Sequence, residues 1–216
     1  VVNIEDLHRQ AKRRLPKTIF DFVHGGSYEQ VTLERNLRDM RALALRQHDL
    51  RDVSNRNTAV TMVGDPAKIP LAIGPTGLAG LTWANGEVEA AKAAKAFGVP
   101  YCLSTMSICS IEDVAKATEA PFWFQLYLMK DRSVNESLIR RAHDANCSAL
   151  VLTLDLHVQG KRWADARNGL SVPPKLTLAN TADILAHPGW LLGMARSKRR
   201  TFGNLEGEVK RAKNVS

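Results

Sequence analysis

Four short β-prone runs in the middle of this chain each stop at a cluster of small or hydroxylated residues, and each is followed by a segment with helix signals. The clusters are Gly74-Pro75-Thr76-Gly77, Leu103-Ser104-Thr105, Phe124-Gln125-Leu126-Tyr127 and Thr153-Leu154-Asp155. Strands alternating with helices can bury their apolar runs only in a parallel sheet or barrel. Such folds gather polar strand ends on one side, where α/β proteins place their chemistry.

The segments between these ends are punctuated as βα units require. Pro70 to Pro75 reads as the first strand, and Asn85 to Phe97 reads as a helix stopped by Gly98. Tyr101 to Thr105 gives the second strand, and Ser110-Ile111-Glu112-Asp113 carries a capping-box spacing that opens a helix ending near Thr118. Phe122 to Tyr127 gives the third strand, with Phe122 and Phe124 on one face and Trp123 on the other. Ser133 with Glu136 repeats the capping-box spacing, and Ala149 to Leu154 gives the fourth strand. Before them lies a mostly helical prologue, with helices expected over 3–14, from Pro16 to a turn at His24-Gly25-Gly26-Ser27, and over 28–40. Asn55 to Pro70 reads as an excursion with one or two edge strands.

Composition narrows the classes. A chain of 216 residues, 44% of them apolar, is long enough for a substantial core. Cys102, Cys109 and Cys147 are odd in number and lack metal-ligand spacing, so reduced thiols and no metal site are expected. No apolar run nears the roughly 20 residues of a spanning helix, and the start lacks a basic-then-apolar leader. A cytoplasmic location is therefore expected. Val1 in place of Met reads as a fragment boundary or a processed end. Of the net charge of +8, residues 161–216 carry +7, with 11 Lys and Arg against 4 Asp and Glu. In that stretch Trp190, Leu191 and Leu192 lie close to Arg196, Lys198, Arg199 and Arg200, so 187–202 reads either as a solvated basic loop or as a peripheral membrane contact.

In their order and spacing, Pro75-Thr76-Gly77-Leu78, Leu103-Ser104-Thr105, Trp123-Phe124-Gln125-Leu126-Tyr127, Thr153-Leu154-Asp155 and Gly160-Lys161-Arg162 resemble one family. It is that of the FMN-dependent L-2-hydroxy-acid dehydrogenases and oxidases, which includes glycolate oxidase, mandelate dehydrogenase and, as the best match, bacterial respiratory L-lactate dehydrogenase. The resemblance implies an α/β fold, a TIM (β/α)8 barrel of which this chain holds the helical N-terminal segment and about four βα units. Residues 1–216 would then be one partial domain, with a prologue over 1–69, βα units over 70–165 and a basic insertion over 166–216.

The same resemblance implies FMN as cofactor, with Pro75, Thr76 and Gly77 lining one face of the flavin and Ser104, Gln125 and Thr153 bonding its edge. It gives Tyr127 and Arg162 to the substrate, and puts Phe22 where the family usually has a substrate-contacting Tyr. Asp155 would either orient the site or cap the next segment, and His157 has a loop or supporting role. Gly77, where several oxidases have Ala, leans toward a dehydrogenase. The family's catalytic His and Arg match positions beyond Ser216, so no catalytic residue is expected in this chain, and the chain alone is expected to be inactive.

The implied partners are a small 2-hydroxy acid, with lactate ahead of mandelate and glycolate, and a quinone or cytochrome as respiratory acceptor. A homo-oligomer and the cytoplasmic face of the inner membrane go with them. The rival reading is a half-barrel flavin-binding or interaction module without catalysis. A nucleic-acid partner is not expected, because the basic stretch lacks a recognition motif.

Overall fold

The computed structural model describes residues 1–155, 158, 160–170 and 177–206. In chain order the elements begin with helices α1 (Ile4–Arg14), α2 (Lys17–His24) and α3 (Val31–Ala42), followed by strands β1 (Val60–Met62) and β2 (Asp65–Ala67). Next come α4 (Ala79–Thr82), α5 (Gly86–Phe97), β3 (Cys102–Ser104), α6 (Ile111–Thr118), β4 (Trp123–Leu126), α7 (Arg132–Asp144) and β5 (Ala149–Leu152). Helices α8 (Trp163–Arg167), α9 (Leu178–Leu185) and α10 (Pro188–Arg196) complete the series. The chain forms two compact units, Val1–Arg56 with Val158–Leu192, and Asn57–His157 with Gly193–Ser216. The sequence boundaries at 69/70 and 165/166 mark chain segments, whereas these units group segments that are distant in sequence.

The first unit is helical because its sequence carries caps and breakers at the right places. Asn3 accepts the Asp6 N–H at 2.9 Å, and acidic Glu5 and Asp6 open α1 while Lys12, Arg13 and Arg14 close it, which suits the helix dipole. Pro16 precedes α2 as its cap residue, one position earlier than the expected first-turn placement. Helix α3 starts at Val31 instead of Tyr28. Tyr28 and Gln30 have φ of 50° and 63°, left-handed conformations that cannot continue a right-handed helix.

In the second unit, β3, β4 and β5 form a parallel sheet in that order, with Ser104 opposite Gln125 and Gln125 opposite Val151. Helices α5, α6 and α7 alternate with these strands, as the sequence pattern requires. The core holds Val88, Ala91 and Ala94 of α5, Ile111 and Val114 of α6, and Val134, Leu138 and Ala142 of α7. Leu103, Phe122, Phe124 and Leu126 join them from the sheet. Trp123 faces the other way, and its Nε1 donates to Asp65 Oδ2 at 2.6 Å, so the hairpin β1–β2 covers that face. Ser148 Oγ donates to the same carboxylate oxygen at 2.6 Å.

Two local expectations are corrected. Pro70 to Pro75 forms a single parallel bridge, Ile73 to Tyr101, in place of a full strand. Prolines at 70 and 75 have no N–H to donate, which limits the ladder at both ends of the run. Helix α7 is capped by Asp131, which accepts from Ser133 N–H at 2.9 Å and from its Oγ at 2.7 Å; Ser133 is inside the helix and caps nothing. The capping box at Ser110 and Asp113, by contrast, is formed on both sides. Gly98 ends α5 at φ 88°, where a side chain would be strained.

Strand β5 has β4 as its one ladder neighbour among the described residues, and Leu150, Val151 and Leu152 are 46%, 37% and 46% exposed. Among the described residues the parallel sheet therefore ends at β5, whose outer edge is exposed.

Candidate active site

Three side chains meet at the C-terminal ends of adjacent parallel strands. Ser104 ends β3, Gln125 is the next-to-last residue of β4, and Thr153 directly follows β5. Ser104 Oγ donates to Gln125 Oε1 at 3.2 Å, and Gln125 Nε2 donates to Thr153 Oγ1 at 2.8 Å. Ser104 and Gln125 are buried at 3% and 2% exposure, whereas Thr153 is half-buried. The parallel register brings this row within reach: Ser104 and Gln125 are ladder partners, and Thr153, whose N–H donates to Leu126 O at 3.2 Å, lies two residues beyond Val151, the ladder partner of Gln125.

The neighbouring turns are tied to this row. Thr105 Oγ1 donates to Gln125 O at 2.6 Å and accepts the Tyr127 N–H at 3.1 Å. Leu78 N–H donates to Met106 O at 3.0 Å, so the Pro75–Leu78 loop lies against the turn after β3. A Cβ on Gly77 would lie 3.4 Å from Met106 Cβ and 3.9 Å from Ser104 Oγ, so the loop passes close to Ser104. Pro75 and Thr76 are exposed beside it. Tyr127 is half-buried, and Asp155 is exposed.

Below these turns lies a carboxylate that the sequence reading passed over. Glu87, in the first turn of α5, is fully buried, and its Oε1 accepts the N–H groups of Gly80 and Ile108, each at 2.9 Å. Its Oε2 accepts the Cys109 N–H at 3.4 Å. An acidic residue in a first turn reads in sequence as a partner for the helix dipole. Nothing in that pattern reveals that it joins two loops.

Arg162 and Phe22 come together in the helical unit. The Arg162 guanidinium carbon sits 5.0 Å from the Phe22 ring centroid, its Nε donates to Asp165 Oδ2 at 2.6 Å, and its Nη2 donates to the Phe22 carbonyl. A Tyr28–Trp163 edge contact at 6.1 Å and a cavity of about 750 Å³, lined in part by Tyr28, Asn36, Arg162 and Trp163, lie in the same unit. His157 lies outside the described residues. Among the described residues no group of His, Cys, Asp and Glu could hold a metal. Burial pushes the Cys102, Cys109 and Cys147 thiols up to about 12, so they stay protonated at neutral pH and are poor nucleophiles.

The donor set suits a flat heteroaromatic ring whose edge alternates hydrogen-bond donors and acceptors. Hydroxyl, amide and hydroxyl stand in a row, and the loop at Gly77 carries no side chain to block an approaching plane. The model for FMN-dependent dehydrogenases matches residues 11–214. The chain belongs to this family.

Among curated relatives, the family member is 41% identical over 201 residues to an L-lactate dehydrogenase of Caulobacter sp. (strain K31), covering 93% of this chain and 53% of that protein. It is 42% identical over 185 residues to an L-lactate dehydrogenase of Alcaligenes faecalis, covering 86% of this chain and 48% of that one. The crystal structure of the monotopic membrane protein (S)-mandelate dehydrogenase superposes with a TM-score of 0.88 at 30% identity, over 98% of this chain and 59% of that one. A lactate oxidase of Pediococcus acidilactici gives 0.75 at 33% identity, over 86% and 51%. The chain thus spans about half the length of the curated relatives it matches, and its fold is part of a TIM (β/α)8 barrel.

In this FMN-dependent dehydrogenase fold the basic stretch after α10 differs from the solvated loop that composition suggests. Lys198 Nζ and Arg199 Nε lie 2.6 and 2.5 Å from the two Asp113 carboxylate oxygens, and Arg199 also reaches Glu206 at 3.2 Å. Burial alone would raise the Asp113 carboxyl, but hydrogen bonds from Lys198, the Ser110 N–H and Arg199 outweigh it and hold the group well below the usual carboxylate range. Arg141 holds the adjacent Glu112 down to about 2. Two of the four basic residues counted between 196 and 200 are therefore paired with Asp113, Arg199 half-buried and Lys198 still exposed.

Proposed function

We propose that this chain supplies the flavin-binding side of an FMN-dependent dehydrogenase that oxidises an L-2-hydroxy acid, with L-lactate as the substrate. The row Ser104–Gln125–Thr153 at the strand ends carries this reading. FMN held there would supply a two-electron acceptor for the hydride equivalent of the hydroxy acid's α-carbon. Gln125, Ser104 and Thr153 hold the ring edge, and Pro75, Thr76 and Gly77 lie along one face. Tyr127 and Arg162 bind and orient the substrate. Phe22 removes one hydroxyl from the carboxylate pocket and stacks on Arg162 instead, keeping the guanidinium in place. Asp155 supports the strand end.

Titration of the full chain with FMN tests the reading. Saturable binding with quenched flavin fluorescence is expected, and Gln125→Leu should weaken it about tenfold or more by removing both amide contacts. Under anaerobic conditions the flavin bound to this chain alone should stay unbleached with L-lactate, mandelate and glycolate, whereas protein extended to the length of its relatives should be bleached by L-lactate faster than by the other two. Flavin in the extended protein that none of the three acids bleaches would leave a flavin-binding module, and failure of the wild-type chain to bind FMN would remove the reading altogether.

We further infer that electrons leave for a quinone or cytochrome at the cytoplasmic face of the inner membrane, that the assembly is a homo-oligomer, and that α10 touches lipid. Leu192 is 58% exposed on α10, and Arg196 and Arg200 are exposed nearby. This apolar and basic pairing is what an interfacial helix uses. Among the described residues no helix is long and apolar enough to cross a membrane. Flotation with anionic vesicles should carry the chain upward, and Leu192→Glu with Arg196→Glu should abolish it. Arg199 is the wrong residue to probe because Asp113 holds it. Flotation unchanged by the double substitution would eliminate the α10 contact.

A further inference from the structure

The segment that follows α10 returns to the strand end where the row begins. Asn204 is buried at 1% exposure, and each polar atom of its side chain is in use. Its Oδ1 accepts the Ile111 N–H at 2.9 Å, one of the first-turn donors of α6 that has no partner within its own helix. Its Nδ2 donates to Ser104 O at 3.2 Å, to Thr105 O at 3.4 Å and to Ser107 Oγ at 3.0 Å. Its own carbonyl accepts from Arg141 Nη1 at 2.8 Å. A Cβ on the preceding Gly203 would lie 2.5 Å from Ile108 O, so the segment is pressed against the turn after β3.

These contacts fix two successive peptide planes. The Ser104–Thr105 peptide is held by its carbonyl at Asn204 and by its N–H at Gln125 O, 3.0 Å away. The Thr105–Met106 peptide is held by its carbonyl at Asn204 and by its N–H, which donates to Ser104 Oγ at 3.1 Å. The second of these N–H groups aims the Ser104 hydroxyl, and that hydroxyl donates onward to Gln125. The ion pairs of Lys198 and Arg199 with Asp113 hold the same segment against the start of α6.

We propose that Asn204 is a positioning residue for the flavin-binding row, acting through the Ser104 and Thr105 peptides to set the direction of the Ser104 hydroxyl. The inference rests on the flavin reading for its functional consequence, but its structural half can be measured without flavin. The contact also joins the chain after α10 directly to the site.

Asn204→Asp is the sharpest probe, because it keeps an acceptor for Ile111 and replaces the donor aimed at two carbonyls with an acceptor. Asn204→Ala is the second variant, should the carboxylate unfold the chain, and Lys92→Ala, whose exposed ammonium donates to Glu89 on α5, is the control. In flavin-free protein, amide exchange at Thr105 and Met106 should speed up on the order of tenfold in both Asn204 variants, while exchange in β5 and α7 stays at the wild-type rate. In FMN-loaded protein, affinity should fall about tenfold and the flavin absorption bands should shift, because the ring edge meets a displaced hydroxyl. Wild-type exchange at 105–106 in both variants overturns the inference, whatever FMN does. Faster exchange with unchanged FMN affinity and spectrum also overturns it, by reducing Asn204 to a packing residue. If wild-type protein binds no FMN, the flavin reading fails by itself, and the exchange result still decides whether Asn204 holds the strand end.

Discussion

Replacing Glu87 with Ala is expected to cost the second unit about 3 kcal/mol or more. The carboxylate is fully buried and accepts two backbone N–H groups at 2.9 Å and a third at 3.4 Å. A buried donor left without a partner costs roughly 1–3 kcal/mol, and neither Gly80 nor Ile108 has an obvious substitute. The start of α4 and the 106–109 turn that it joins also flank Ser104, so FMN affinity should fall together with stability. Glu87→Gln keeps an oxygen for the two short bonds and should lose about half as much. Urea unfolding with an unchanged slope is the measurement. A loss of less than about 1 kcal/mol for the Ala variant would mean that water or a shifted loop replaces the carboxylate.

Phe124→Ala is expected to have an effect of similar size for a different reason. Phe124 is 0% exposed at the middle of β4, the central strand of the three, with core neighbours from the sheet and from the helices that cover it. Truncating a buried Phe removes about 3–5 kcal/mol through lost burial and the cavity it leaves. The cavity would open on the helix-covered face of β4, opposite the side chain of its neighbour Gln125. Trp123→Phe, one residue earlier and on the other face, should cost less, because it gives up mainly the bond to Asp65. If the two variants unfold at the same urea concentration, the face assignment along β4 is wrong.

The repeating units could be read from sequence because their signals are local. The Ser110–Asp113 box, the Gly98 stop and the alternation of Phe122, Trp123 and Phe124 each act within a few residues, and each is realised in the structure. The row at Ser104, Gln125 and Thr153 was also within reach, since strand ends and motif spacing place those residues together. The start of α3 was less accessible, because the left-handed Tyr28 and Gln30 carry none of the glycine signature that usually marks such a turn. Asn204 and Glu87 lay further out of reach. Asn204 meets the β3 end from about 100 residues away, and Glu87 takes its meaning from two loops that no periodicity pairs. The charge count was misleading at Lys198 and Arg199, where composition cannot tell a solvated cation from one paired with Asp113.

The row at the strand ends has a polarity. Ser104 gives its proton to Gln125, whose amide gives one to Thr153, so every bond runs from β3 toward β5. The Thr153 hydroxyl, last in line, accepts from Gln125 through one of its two lone pairs, which leaves its own proton and the second lone pair to offer outward. Turning the Gln125 amide by half a turn would reverse this pattern, and the Thr105 N–H, a backbone donor 3.4 Å from Gln125 Oε1 at the end of β3, is what opposes that turn. Which face of hydrogen-bond character a ring edge encounters at β5 is therefore decided at β3, two strands away.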